Sequence, residues 1–223
     1  MHILEIHLRL IKCAIIMKNP LIIISKVRPY SKIIHIDGDK SLSIRWALLA
    51  SQAIGKSRAY KLLRSEDVLS TLNCLKTLGI KVILKKEYCD VYGKGINSFS
   101  YKKRLIINAG NSGTLGRLIL GLLTHSTKKI KLIGDKSLSK RDFSRVTKPL
   151  GKFGAKFFSK NKDKLPLSII GTKFAKPITY VEDRGSAQCK SSVMFAALNT
   201  KGKTFIKARK SRDHSELLFK YLK

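Results

Sequence analysis

Apolar residues recur at helical spacing in three separate segments of the chain, which lie roughly 70 residues apart. The segments begin at Ser41, Ser112 and Ser186, and in each of them small polar residues precede the apolar positions. A serine in front of a helix is typical of an N-cap, where its hydroxyl accepts a hydrogen bond from a free backbone N–H. The pattern therefore predicts three related helices that begin at these serines.

The residues that follow each segment are repeated as well. A short β-rich run comes next, at 57–63, 129–133 and 203–208, and a second amphipathic helix follows it. In the first two copies Gly79 and Gly154 stand where a C′ glycine would end that helix, and two further strands come after them. The third copy has neither before the sequence ends. Strands that alternate with helices of this length predict an α/β protein made of three repeats.

The chain is strongly basic, with a formal net charge of +32. A field of this sign attracts polyanions and small phosphorylated metabolites alike, so charge does not select the partner. Only 8% of the residues are aromatic, and no RNA-binding signature occurs. A basic nucleic-acid-binding protein is therefore disfavoured, and it is kept as the alternative from another class.

Four cysteines occur, but none of them forms a C-x-x-C pair and no histidine cluster stands near them. This spacing does not fit a zinc site, and we expect no metal. Free thiols are typical of a protein in the reducing cytoplasm, which is the location that we expect. The cysteines are Cys13, Cys74, Cys89 and Cys189.

The predicted helix starts carry residues that could hold an anion. Free N–H groups and the positive end of the helix dipole favour phosphate or carboxylate there, and the starts would meet if the repeats packed about a common axis. Each residue alone is explained as a cap or a solvated charge, so only the combination indicates a site. The residues are Lys40, Ser41, Arg45, Asn111, Gly113, Thr114, Arg117, Ser186, Gln188 and Lys190, with Arg141, Ser211 and Arg212 in two further loops.

Five motifs follow one another along the chain: D-K-S-L-S-I-R-W-A-L-L-A, G-N-S-G-T-L-G-R-L, G-D-K-S-L-S-K-R, G-S-A-Q-C-K-S and K-S-R-D-H-S-E. In order and spacing they resemble the signatures of the 5-enolpyruvylshikimate-3-phosphate (EPSP) synthase family. The resemblance implies a transferase that moves the enolpyruvyl group of phosphoenolpyruvate to the 5-hydroxyl of shikimate-3-phosphate and releases phosphate. It also implies a place in the shikimate pathway, which leads to chorismate and the aromatic amino acids, and no metal or organic cofactor.

The resemblance also implies a domain organisation. The family fold has two domains, each built from three βαβαββ units about a pseudo-threefold axis, in agreement with the internal repeat. We expect 1–16 to be a dispensable extension and 17–38 to hold leading strands that pack in the second domain. Residues 39–223 would form the N-terminal substrate-binding domain with an incomplete third repeat. The chain would then be the N-terminal half of the enzyme.

Residue roles are carried over from the family only where the motifs match. Lys40 is expected to act in catalysis and to reach both substrates. The residues implied for shikimate-3-phosphate are Lys40, Ser41, Arg45, Ser186, Ala187, Gln188, Ser211 and Arg212. Those implied for phosphoenolpyruvate are Lys40, Asn111, Gly113, Thr114, Arg141 and Gln188.

The family's proton-transferring carboxylates lie in its second half. We therefore expect this chain to be inactive alone and to need a separate or continuing polypeptide that supplies them. The runner-up within the same fold is the sister enzyme that acts on UDP-N-acetylglucosamine. That enzyme opens with K-N and uses a loop cysteine, and neither feature is found here.

Overall fold

Helices and strands alternate throughout the residues that the computed structural model describes, 38–101 and 104–221. The expectations for 1–16 and for the leading strands of 17–38 lie outside these residues. The first repeat consists of α1 (Lys40–Ala50), β1 (Ile54–Tyr60), α2 (Glu66–Thr77), β2 (Lys81–Leu84) and β3 (Tyr88–Lys94).

The second repeat is complete and has the expected βαβαββ order. Its elements are β4 (Leu105–Asn108), α3 (Gly113–Leu122), β5 (Ile130–Ile133), the single turn α4 (Lys136–Ser139), α5 (Ser144–Lys152), β6 (Lys156–Ser159) and β7 (Leu167–Ile170). A short 3-10 turn, Leu123–His125, continues α3. The third repeat contributes β8 (Thr179–Glu182), α6 (Ala187–Leu198), β9 (Phe205–Ala208) and α7 (His214–Tyr221). The predicted α/β architecture of three repeats is therefore confirmed.

Each repeat has its own sheet, and matching strands take matching places. In the first sheet the order is β1-β3-β2, and in the second it is β4-β5-β7-β6. In both, the strand after the first helix pairs antiparallel with the last strand of the repeat, as in Ser57 opposite Val91 and Leu132 opposite Leu167. The first strand of the second and third repeats pairs in parallel with the strand that follows its helix.

The first helices of the three repeats form the buried centre. All but one of the ten residues of α3 are buried, which is typical of a helix that is apolar on every side. Close contact of α3 with α6 requires a glycine, because a Cβ on Gly121 would lie 2.2 Å from the carbonyl oxygen of Ser192. Phe143, Phe153 and Phe195 fill the space between these helices and their neighbours.

The helix ends follow the sequence signals with two corrections. Ser112 and Ser186 are N-caps as predicted, with Oγ accepting from Leu115 N and Cys189 N. Ser41 is not an N-cap. Asp39 takes that place, because its carboxylate is an equally good acceptor and stands two residues earlier, so Ser41 lies within the first turn. The segment before Arg141, expected to be a loop, forms the single turn α4.

Candidate functional site

The N-termini of four helices meet around one cleft of about 250 Å³. These are α1, α3, α6 and α7, so the positive ends of their dipoles and their free N–H groups surround the same space. No carboxylate is among the described residues that line it. The lining residues are Ser41, Arg45, Thr114, Gly185, Ser186, Ala187, Gln188, Ser211, Arg212 and His214. Eight of the twelve residues to which the family resemblance assigns a role are among them.

Arg45 is the charged residue at the base of the cleft, and it is only 3% exposed. Its Nε donates to Ser215 Oγ (2.8 Å), its Nη2 to Ser191 Oγ (3.2 Å) and its Nη1 to the carbonyl oxygen of Ser41 (3.1 Å). Burial, and then the nearby charge of Arg212, lower the pKa of its guanidinium. No described carboxylate forms an ion pair with it. The direct hydrogen-bond partners of this buried charge are neutral oxygens, while the carboxylates of Glu216 and Asp39 act on it only from a distance. An anion in the cleft would therefore compensate it further.

A second network fixes the start of α7 against α6. The hydroxyls of Ser191 and Ser215 are hydrogen-bonded to each other at 2.6 Å, and both residues are buried. Lys190, also buried, forms an ion pair with Glu216 one residue further along α7. Because Arg45 reaches the same two hydroxyls, three helices that are distant in sequence hold one guanidinium in place.

Beside the cleft, three side chains link α3 to α6. Gln188 donates from Nε2 to Thr114 Oγ1 (3.0 Å) and accepts from Arg117 Nη1 (2.8 Å). The Arg117 guanidinium also lies 5.2 Å from the ring centroid of Phe143, and burial lowers its pKa. Arg117 fixes the amide of Gln188; it was among the residues that could hold an anion, but the family resemblance assigned it no ligand role. The signal in the sequence is that it is the only charged residue of an otherwise apolar helix.

The loop before α3 brings three further predicted residues together. Arg141 Nη2 lies 3.4 Å from Asn111 Oδ1, within donating distance. A Cβ on Gly113 would lie 2.9 Å from one guanidinium nitrogen of Arg141 and equally close to one of Arg117. Glycine therefore lets two cations approach the backbone at the start of α3. These residues adjoin the cleft but do not line it.

Lys40 is the remaining predicted residue, and it also does not line the cleft. Its Nζ lies 2.9 Å from the carboxylate of Asp67, and its side chain is 51% exposed. An exposed ion pair of this kind contributes little free energy, so the ammonium group is easily released to a ligand. The expectation that Lys40 acts in catalysis is not tested by this arrangement and stays a prediction.

Comparison with known proteins decides the family. A family model described as EPSP synthase (3-phosphoshikimate 1-carboxyvinyltransferase) matches residues 24–223. The chain belongs to the EPSP synthase family. Relatives named 3-phosphoshikimate 1-carboxyvinyltransferase are 43% identical over 189 residues in Caldicellulosiruptor saccharolyticus and 43% identical over 192 residues in Petrotoga mobilis. The matches cover 84% of this chain, whereas they cover 43% and 44% of those relatives. The chain thus spans less than half the length of the EPSP synthases that it matches.

A solved structure supports the same family. The EPSP synthase from Acinetobacter baumannii is 32% identical in sequence and superposes with a TM-score of 0.79, covering 84% of this chain and 42% of that one. The resemblance that the five motifs indicated is therefore confirmed, and with it the enolpyruvyl transferase type of fold.

Two further features concern the class of protein. Within 38–101 and 104–221, no helix is both long and apolar enough to cross a membrane. The same residues contain no group of three or more His, Cys, Asp or Glu side chains placed to hold a metal ion. Cys74, Cys89 and Cys189 are buried free thiols, and burial raises the pKa of Cys74 to about 12 and that of Cys89 to about 11.

Proposed function

We propose that this chain forms the shikimate-3-phosphate-binding half of a 3-phosphoshikimate 1-carboxyvinyltransferase. In that reaction the 5-hydroxyl of shikimate-3-phosphate adds to phosphoenolpyruvate, and phosphate is then eliminated. The observation that carries the proposal is the cleft, where a buried guanidinium without a carboxylate partner faces four helix N-termini. Both substrates carry a phosphate and a carboxylate, and dense cations and N–H donors are what such ligands require.

The two substrates would occupy adjoining parts of the site. Shikimate-3-phosphate fits the cleft itself, since Arg45 retains two N–H donors beyond the three that its protein contacts use. Phosphoenolpyruvate fits beside it, where Arg141 and Arg117 approach the start of α3. Gln188 lies between the two positions, because it lines the cleft and is bonded to Thr114 and Arg117. Lys40 would leave Asp67 to contact both ligands.

Proton transfer requires groups that the cleft does not supply. No carboxylate is among the described residues that line it, whereas an addition followed by an elimination needs a general acid and a general base. We infer that a second polypeptide segment, in the same chain or a separate one, supplies them and closes over the substrates. A closed site excludes water and strengthens these charge interactions. The enzyme would be located in the reducing cytoplasm, where phosphorylated metabolites occur.

Isothermal titration calorimetry of the 223-residue chain with shikimate-3-phosphate tests the proposal. We expect weak but saturable binding to the parent, and binding that is lost in Arg45→Met. Ser191 and Ser215 keep each other as partners in that variant, so the midpoint of thermal unfolding should not fall. Phosphate release from the two substrates should be undetectable with this chain alone. Absence of saturable binding, or turnover by the isolated chain, would contradict the proposal.

A further inference from the structure

Three polar atoms near the start of α7 are buried without a hydrogen-bond partner in the described part of the chain, and two of them belong to residues that line the cleft. The third is Oε2 of Glu216, whose other carboxylate oxygen pairs with Lys190. Nδ1 of His214 and Oγ of Ser211 have no contact with solvent and no hydrogen bond to any described residue. Both residues line the cleft. A buried polar atom without a hydrogen bond costs free energy, so native proteins provide nearly all such atoms with a partner. In a cleft, a bound ligand provides it.

The surroundings of these atoms indicate the charge of that ligand. Arg45 and Arg212 line the same cleft, and the nearby charge of Arg212 contributes to the lowered pKa of Arg45. A ligand that relieves this repulsion must be anionic. The N–H of an imidazole ring can donate a hydrogen bond to an oxygen of such an anion.

We propose that His214 is a further substrate-binding residue of the cleft, its Nδ1–H donating to an anionic oxygen of the phosphate ester held between Arg45 and Arg212. The hydroxyl of Ser211 would bind the same group from the preceding loop. The inference rests on the proposed function in taking shikimate-3-phosphate as the ligand. No role was predicted from the sequence for His214, which stands within the motif K-S-R-D-H-S-E.

The chain offers a matched control in His125. Its Nε2 lies 3.2 Å from Thr200 Oγ1, so this ring already has a protein partner. It lines a different cavity, beside Phe99 and Tyr101. A ligand bound in the cleft should therefore leave the ring of His125 unchanged.

Three variants separate a binding role from a structural one. His214→Phe keeps a ring of similar size without any donor, and His214→Asn keeps an amide donor close to the position of Nδ1. His125→Gln is the control. We expect affinity for shikimate-3-phosphate, measured by calorimetry, to fall about tenfold or more in His214→Phe. It should recover largely in His214→Asn and stay at the parent value in His125→Gln.

Nitrogen NMR of the imidazole rings tests the contact directly, with His214 assigned from the signal that His214→Phe removes. We expect the Nδ1 resonance of His214 to shift on saturation with shikimate-3-phosphate and, at higher concentration, with inorganic phosphate. Parent affinity in His214→Phe, or an unmoved ring signal at saturation, would overturn the inference. If shikimate-3-phosphate fails to bind the parent, the proposed function is wrong. The titration with inorganic phosphate then tests His214 by itself. A shift of its Nδ1 resonance supports a contact with an anion, and an unmoved resonance refutes one.

Discussion

The sequence G-D-K-S-L-S-x-R occurs twice in the chain, at 38–45 and at 134–141, and it begins a helix both times. The first turns share the same hydrogen bonds. In each, the aspartate carboxylate accepts from the leucine N–H three residues later, and the aspartate carbonyl accepts from the second serine N–H. The pairs are Asp39 with Leu42 (2.7 Å) and Ser43 (2.9 Å), and Asp135 with Leu138 (2.6 Å) and Ser139 (2.9 Å).

Beyond the first turn the two copies differ completely. The first continues through I-R-W-A-L-L-A to Ala50, whereas the second ends at Ser139. After it, the Asp142 carboxylate accepts from the N–H and the hydroxyl of Ser144, and α5 begins there with Phe143 in the N-cap position. Arg45 is consequently buried in the cleft, while Arg141 is exposed beside Asn111. Local sequence thus sets where a helix starts, and the residues that follow decide its length and what its arginine can bind.

The largest effect on the free energy of unfolding is expected from exchanging the one residue in which the two copies of the motif differ. Ile44 is fully buried and Lys140 is exposed. Ile44→Lys should lower the free energy of unfolding by more than about 4 kcal/mol, because it removes core packing and buries an unpaired ammonium group. Lys140→Ile should change it by less than about 0.5 kcal/mol. Urea unfolding measures both, and equal losses would show that the copies have equivalent surroundings.

The leucines of the two copies should give the next largest difference in unfolding free energy when each is replaced by alanine. Leu138 is fully buried, while Leu42 is 38% exposed. Leu138→Ala should cost about 2–5 kcal/mol of unfolding free energy, as a cavity in a packed core does. Leu42→Ala should cost less than about 1 kcal/mol, since a residue that is already 38% exposed buries less apolar area than Leu138 does. A larger loss in Leu42→Ala would contradict the burial that distinguishes the copies.

The sequence predicted more of the fold than of the site. Gly79 and Gly154, with φ of +83° and +109°, end their helices as their positions indicated, because a left-handed residue is a local requirement. Asp39 was missed as a cap because Ser41, a second good acceptor, follows it closely. The partners of Arg45 could not be predicted, since Ser191 and Ser215 lie 146 and 170 residues away and only the packing of α6 and α7 on α1 brings them there.

The lysines of the two copies should differ in ligand binding but not in stability. Lys40→Met should weaken binding of shikimate-3-phosphate by about 1.5–3 kcal/mol, the usual contribution of a hydrogen bond to a charged group. Lys136→Met removes the lysine from the same place in the second copy and should leave the affinity unchanged. Calorimetric titration of both variants is the measurement. Equal affinities in the two variants would remove Lys40 from the site.

The smallest effect on stability concerns the carboxylate of Asp142, which directly follows the second copy. Hydrogen bonds from Ser144 hold the pKa of Asp142 below its ordinary value. A carboxyl group whose pKa is lowered by folding stabilises the folded state above its unfolded pKa of about 3.9, and this contribution is lost as the pH falls through the folded pKa. Between pH 5 and pH 3, which are roughly the limits of that window, the parent should therefore lose slightly more stability than Asp142→Asn.

The difference should stay below about 0.5 kcal/mol, because Asp142 is exposed and water screens its contacts. The pKa of Asp90 is also lowered, by its hydrogen bond with Arg58. Because Asp90 is present in the parent and in Asp142→Asn, its contribution to the pH dependence of stability cancels in the comparison. Urea unfolding at a series of pH values measures the two slopes. A steeper slope in Asp142→Asn than in the parent would mean that Ser144 does not stabilise the charged carboxylate.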